Sequence, residues 1–122
     1  MANSRKRLGD KGEALAASYL KKKGYNVVSK QDRTPFGEID LVCKYQGEII
    51  FVEVKTRQTA TFGFPEEAVT KDKMNHMIRS AEFLRNKNHW LEQPWRMDVI
   101  AIEYDQDPVK ITHIEGIDAP EQ

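Results

Sequence analysis

The sequence predicts an α/β domain built on a mixed sheet, and three observations lead to that fold class. Helix-spaced apolar residues run along the N-terminal segment. Two alternating segments joined by Gln46-Gly47 read as a β-hairpin. A second helix-spaced stripe then separates this hairpin from two further strand-like segments. The predicted order is α-β-β-β-α-β-β, with an antiparallel hairpin and a crossover helix that returns a strand in parallel, and with both helices packed on the sheet.

Taken in order, Arg5 to Lys23 is predicted helical, with Leu8, Gly12, Leu15, Ala16 and Tyr19 along one stripe and Leu20 at its edge. Gly24 stands where a helix C-cap is expected. Tyr25 to Ser29 is a short strand, and Lys30 to Gly37, containing Pro35 and Gly37, is expected to be a loop. Strands follow at Glu38–Tyr45 and Glu48–Thr56. Residues 57–65 are irregular, with Gly63 and Pro65 as breakers. Glu66 to about Lys87 is the second helix, its core stripe being Met74, Met77, Ile78, Ala81 and Leu84. Trp95 to Glu103 and Val109 to Ile114 complete the sheet. Nothing divides the chain, so residues 1–122 form one domain, with a tail expected to be loose from about residue 116.

The composition, 39% apolar and 31% charged, is that of a globular protein. No apolar run approaches the roughly 18 residues of a membrane span, and the N-terminus lacks the apolar stretch of a secretory signal. The single cysteine, Cys43, falls in an apolar strand and reads as a small core residue in a reducing cytoplasm. A net charge of zero argues against strong unaided binding to duplex nucleic acid. The charge is nevertheless uneven: residues 1–23 carry seven Lys/Arg and two acids, and residues 103–122 six acids and one Lys. This suits either a phosphate-binding face or a solvated first helix.

The hairpin carries the chemistry. A two-residue turn at Gln46-Gly47 pairs Tyr45 with Glu48, then Cys43 with Ile50, Leu41 with Val52 and Ile39 with Val54, giving one wholly apolar face. The other face pairs Val42 with Phe51, Asp40 with Glu53 and Glu38 with Lys55. A four-residue turn leaves these faces unchanged. A one-residue slip would mix charge into the apolar face, so burial selects this register. Directly opposed residues have Cβ atoms about 4.5–5.5 Å apart, and like charges there are destabilising. A divalent cation reverses the sign of that interaction, and oxygen ligands suit Mg²⁺. Without metal, one carboxyl should have a raised pKa. Lys55 shares the face and would stabilise charge developing on a phosphate, or hold or deprotonate an attacking water. The plainer alternative is that Lys55 pairs with Glu38, and Glu53 with an arginine.

Asp40 followed by Glu53-Val54-Lys55 resembles the PD-(D/E)xK nuclease signature in its D…ExK form. The segments GDKGEALAASYLKKKGY (9–25), GEIDLV (37–42), FVEVKTR (51–57), FGFPEEAVTKDK (62–73), RMDVIAI (96–102) and THIEGIDA (112–119) resemble the UPF0102, or YraN-like, family over nearly the whole chain. The fold is similar to that of archaeal Holliday-junction resolvases. The resemblance implies a restriction-endonuclease-like fold, Asp40 and Glu53 as ligands of Mg²⁺ or Mn²⁺, and Lys55 as the catalytic lysine. It also implies that Glu13, on the shoulder of the first helix's stripe, completes the site directly or through water. Ile39-Asp40 stands where the signature has Pro-Asp, and Glu38 adds an acid that is either a further ligand or a partner for Lys55.

Arg33, Thr56 and Arg57 are candidate contacts to a nucleic-acid backbone, each with a surface role as the alternative. Asp98 is expected to be partly buried, with Arg96 or a helix end as its partner. His76, His89 and His113 lack metal-ligand spacing and read as structural. No nucleophile elbow and no Walker-type loop is present. Phe62 and Phe64 are either plugs beneath a loop or stacking platforms for an unpaired base.

Two classes of function compete at this point. One is a metal-dependent endonuclease acting on structured or branched DNA, as a homodimer if it resolves symmetric junctions. The other is a nucleic-acid-binding or protein-interaction module that keeps the fold with little catalysis. An RNA-directed nuclease is a third reading, because the metal chemistry does not distinguish the sugar.

Overall fold

The computed structural model describes residues 4–57, 70–105 and 107–117, with side chains from Gly9 onward. The chain runs α1 (Ser4–Lys22), β1 (Asn26–Thr34), β2 (Gly37–Tyr45), β3 (Glu48–Arg57), α2 (Lys71–Lys87), β4 (Trp95–Glu103) and β5 (Lys110–Ile114). This is the order the sequence predicts. The expected start of the second helix at Glu66, the irregular stretch beyond Arg57, Phe62, Phe64 and the end of the tail lie outside the described residues.

The sheet is five-stranded in the order β1-β2-β3-β4-β5. All neighbours are antiparallel except β3 and β4, which run parallel because α2 carries the chain across between them. Successive residues of β2 point to opposite faces. Leu41 and Cys43 pack with Ile50, Val52, Ile100 and Ile102 beneath Ala16, Ala17 and Leu20 of α1. Val42 packs with Ile49, Phe51 and Met97 beneath Met74, Met77, Ala81 and Leu84 of α2. The result is a mixed sheet with one helix on each face, a restriction-endonuclease-like arrangement. Among the described residues no helix is long and apolar enough to cross a membrane.

Helix α1 ends as its sequence predicts. Gly24 takes φ +94°, its N–H donates to Lys21 O at 3.0 Å, and the Tyr25 N–H reaches back to Leu20 O at 3.0 Å. These two bonds satisfy carbonyls that the helix end would otherwise leave open. Leu20 is not at the edge of the stripe: with Gly12 and Ala16 it forms the buried row, and Tyr19 is only partly covered. The small residues explain the shift. A Cβ on Gly12 would lie 2.1 Å from Thr56 Cγ2, so only glycine lets α1 lie this close to β3.

Two further expectations are corrected. Residues 30–34 are not loop: β1 continues to Thr34, and Pro35-Phe36 alone make the turn. Ser29 to Thr34 has no apolar residue to show alternation, because it forms the sheet's polar edge and is held by main-chain pairing to β2. The Thr34 hydroxyl closes the turn, accepting from Phe36 N–H at 3.1 Å and donating to Gly37 O at 2.8 Å. The second correction concerns Ile39, which packs with Val42 and Phe51 on the α2 side rather than with Leu41 and Cys43. Strict alternation fails at Asp40, which is missing from the register with β1 and from that with β3.

Candidate metal centre

The break in alternation at Asp40 creates the site. The β2–β3 register runs from Tyr45↔Glu48 to Leu41↔Val52, as the sequence predicts, and stops one step short of Asp40↔Glu53. Beyond it, the Val54 N–H donates to Asp40 Oδ2 at 2.8 Å. On the other side of Asp40, Gln31 of β1 takes φ +52°, an uncommon conformation outside glycine, and is itself skipped by the β1–β2 register. The strands therefore part around one carboxylate.

Glu53 is 4% exposed. Its Oε1 lies 3.2 Å from Lys73 Nζ and 3.7 Å from Lys55 Nζ, and its Oε2 is buried without a hydrogen-bond partner among the described residues. A buried, unpaired carboxylate oxygen is costly in a folded protein. Burial and then the Glu53 charge push the Asp40 carboxyl up to about 7, against the opposing hydrogen bond from Val54; Glu13 adds to the rise and Lys73 offsets part of it. Glu13 on α1 is also raised, by burial first, against a hydrogen bond from Gln31 Nε2 at 3.5 Å, with Glu38, Asp10 and Glu53 pushing the same way. A cavity of about 260 Å³ opens beside Glu13, lined by Asp10, Ala14, Lys30 and Gln31.

The structure thus brings Asp40, Glu53, Lys55 and Glu13 into one electrostatic neighbourhood. Glu38 stands apart from the lysine. It pairs with Arg33 across β1–β2, Nε to Oε2 at 3.7 Å, and Lys55 turns to Glu53 instead. The expected Glu38–Lys55 pairing fails for the same reason as the Ile39 placement, since residues before Asp40 are turned over relative to those after it. Thr56 meets Gly12, and Arg57 ends β3 with its carbonyl accepting from Tyr104 N–H at 2.8 Å.

Two members of the site were missed in the sequence, Lys73 and Gln31. Thr70 caps α2, its hydroxyl accepting from Lys73 N–H at 3.2 Å. Lys73 is therefore the third residue of the helix, where glutamate is favoured and a cation opposes the helix dipole. A lysine in that unfavourable place signals an acidic partner, and the partner is Glu53. Gln31 carried no such signal.

The donor set fits a hard divalent cation. Asp40 and Glu53 supply carboxylate oxygens, and among the described residues Glu53 Oε2 has no other partner and the groups that act on Asp40 include no sulfur or imidazole. A second cluster, Asp98, His113 and Glu115, has ligand atoms within 4.8 Å of one another. A cation of the protein already occupies it. The Arg96 guanidinium holds both Asp98 oxygens, at 2.9 and 3.1 Å, and Glu115 at 3.1 Å. His113 Nδ1 faces the Lys23 ammonium at 2.8 Å, so its Nε2–H donates to Asp98 at 2.7 Å. Burial would raise Asp98, but hydrogen bonds from His113, Arg96 and the Gly116 N–H outweigh it and hold the carboxyl below its usual range. The structural parts expected for Asp98, Arg96 and His113 are therefore met.

The model of the family described as "Uncharacterised protein family UPF0102" matches residues 12–102. A UPF0102 protein of Syntrophomonas wolfei subsp. wolfei is 42% identical over 107 residues, covering 88% of this chain and 93% of the relative. Another, from Syntrophotalea carbinolica, is 38% identical over 117 residues, covering 95% and 94%. A third, from Caldanaerobacter subterraneus subsp. tengcongensis, is 38% identical over 115 residues, covering 91% and 93%. The span matched, residues 12–102, takes in the positions of Glu13, Asp40, Glu53, Lys55 and Lys73.

Proposed function

The chain belongs to the UPF0102 family, and from the chemistry of its site we propose that it is a metal-dependent endonuclease that hydrolyses phosphodiesters in structured or branched DNA. The observation that carries this reading is the buried Glu53 Oε2, without a partner among the described residues and beside a carboxyl whose protonation is already favoured by burial. Two carboxylates kept at this cost are explained by a cation that neutralises both.

Asp40 and Glu53 would hold Mg²⁺ or Mn²⁺. When bound, such an ion polarises a phosphoryl oxygen and acidifies a water. The chain's own residues supply the rest. The Val54 amide fixes Asp40 Oδ2, so this carboxylate is positioned before any ligand arrives. Lys55, half-exposed at 31%, can turn its ammonium from Glu53 towards the non-bridging oxygens of a phosphate, where negative charge grows in the transition state. Lys73 balances Glu53 from the α2 side. Glu13, whose carboxyl is pushed up by burial and accepts from Gln31 Nε2 at 3.5 Å, would complete the site directly or through water.

The test is cleavage of duplex, flap, four-way and single-stranded DNA, and of matching RNA, with added Mg²⁺ or Mn²⁺ and with Lys55→Ala as control. The expected result is metal-dependent cleavage of branched substrates that Lys55→Ala loses. Metal-independent cleavage, or cleavage that persists in Lys55→Ala, overturns the reading. Binding without cleavage supports the binding-module reading instead.

A further inference from the structure

Phe36 and Phe83 are large aromatic residues that join neither core. Phe36, in the β1–β2 turn, is 41% exposed, and Phe83 on α2 is 36% exposed. They border one open cavity of about 290 Å³, together with Arg79 and Glu82 of α2. The Arg79 guanidinium carbon lies 5.8 Å from the centroid of the Phe36 ring. The turn is tied to the helix, because the Thr34 and Ser80 hydroxyls share a hydrogen bond at 2.8 Å. The platform is thus braced from both sides of the cavity.

Its chemistry is selective. A half-exposed aromatic face with a cation alongside suits a flat π-system. Arg79 and Glu82 lining the same small cavity suit a neutral ligand carrying both donors and acceptors. A phosphate would be repelled by Glu82, and an aliphatic side chain would leave both charges unsatisfied. A nucleobase meets each requirement: a π-face for Phe36, ring and carbonyl acceptors for Arg79, and an amino group that donates to a carboxylate. The location agrees. Phe36 precedes Asp40 by a short stretch of β2, at most about 14 Å of extended chain. Helix α2 offers Lys73 to the metal centre and Arg79, Glu82 and Phe83 to the cavity.

The geometry points to a nucleobase-binding subsite formed by Phe36, Arg79, Glu82 and Phe83, which takes one unpaired base of the strand whose phosphodiester lies at the metal centre. This rests on the nuclease reading for the identity of the strand. It adds that the preferred substrate has a single-stranded nucleotide beside the scissile position. Paired bases present only their edges, and their faces are closed to Phe36.

The test uses the full chain without added Mg²⁺, and DNA flaps carrying 2-aminopurine at successive positions of the single-stranded arm. The wild type should quench the probe at positions near the branch. Phe36→Ala should lose that quench and bind the flap roughly ten-fold or more weakly, with duplex binding unchanged. Phe36→Trp should keep the quench, and thermal melting should show both variants folded. Equal quench and affinity in wild type and Phe36→Ala overturn the subsite, as does loss of quench in both variants. A dimer that Phe36→Ala dissociates without altering the quench also overturns it, in favour of a second copy of this chain on the same surface. Quench without Mg²⁺-dependent cleavage by the wild type sinks the nuclease reading and leaves the subsite standing. Cleavage without quench does the reverse.

Discussion

The main-chain N–H of Val54 donates to Oδ2 of Asp40 at 2.8 Å, in place of a further rung of the β2–β3 ladder. A backbone donor is thereby used to hold an acidic side chain, whose desolvation costs the fold. Asn at this position keeps an acceptor for Val54 and removes the charge facing Glu53. Asp40→Asn is therefore expected to raise the melting temperature of the metal-free protein by several degrees, on the order of 1–2 kcal/mol. Wild type should be further stabilised by millimolar Mg²⁺ or Mn²⁺, and Asp40→Asn should not respond. Thermal melts of both proteins, with chelator and with metal, check this; metal that leaves the wild type unmoved defeats the site.

The same carboxylate sets a pH dependence with a definite sign. Asp40 rises to about 7 in the folded protein, against roughly 3.9 in an unfolded chain. Between those values the folded state binds more protons than the unfolded state, so stability falls as pH rises. Metal-free wild type should lose stability from about pH 4 to about pH 7 relative to Asp40→Asn, with a constant difference above that. Urea midpoints for the pair across this range read the difference directly, and a flat difference would refute it.

Lys73 and Lys55 both face Glu53 but should respond differently to removal. Lys73 is the nearer cation, at 3.2 Å, and acts as the counter-charge of a nearly buried carboxylate. Lys73→Met should lower metal-free stability by roughly 1–3 kcal/mol and enlarge the stabilisation gained from Mn²⁺, because protein and metal no longer compete for Glu53. Lys55→Ala should change stability little and reduce any cleavage rate by about 100-fold or more. Calorimetric Mn²⁺ titrations of the two variants distinguish these effects.

The contact between Gly12 and Thr56 predicts a reversal of sign. In a helix interior, alanine is favoured over glycine by roughly 1 kcal/mol. Here the new Cβ would meet Thr56 Cγ2 at 2.1 Å, so Gly12→Ala should destabilise by about 1–3 kcal/mol. Thr56→Ser removes that methyl while keeping the hydroxyl. In the Thr56→Ser background, Gly12→Ala should become neutral or stabilising. A double-mutant cycle by urea denaturation gives the coupling, and additive effects would show that the helix can shift.

Much of this was legible in the sequence, where one residue type satisfied a strong local rule. Gly24 marked the end of α1, Gln46-Gly47 fixed the hairpin, and the stripe from Met74 to Leu84 matched the buried face of α2. The acids Asp40 and Glu53 stood out because cross-strand like charges conflict with folding. The departures occur where tertiary structure overrides alternation. The positive φ of Gln31 and the side-chain bond from Asp40 to Val54 turn the preceding residues over, and neither has a periodic signature. The polar edge strand from Ser29 to Thr34 offered no apolar pattern to read. Lys73 depends on a contact between an helix start and a strand far away in the chain.

The parallel pairing of β3 with β4, from Ile49↔Trp95 to Arg57↔Glu103, spans the whole of α2, whereas β1, β2 and β3 are joined by tight turns. Closing the long connection costs more chain entropy before it yields contacts, so the three-stranded meander is expected to form early and the parallel seam late. Asp40, Glu53 and Lys55 all lie on the meander. Their charges meet while one edge of β3 is still open to water, and the repulsion takes full effect only when the seam closes. Relief of that repulsion by Asp40→Asn should therefore slow unfolding while leaving the folding rate nearly unchanged, a pattern that the two limbs of a chevron plot would resolve.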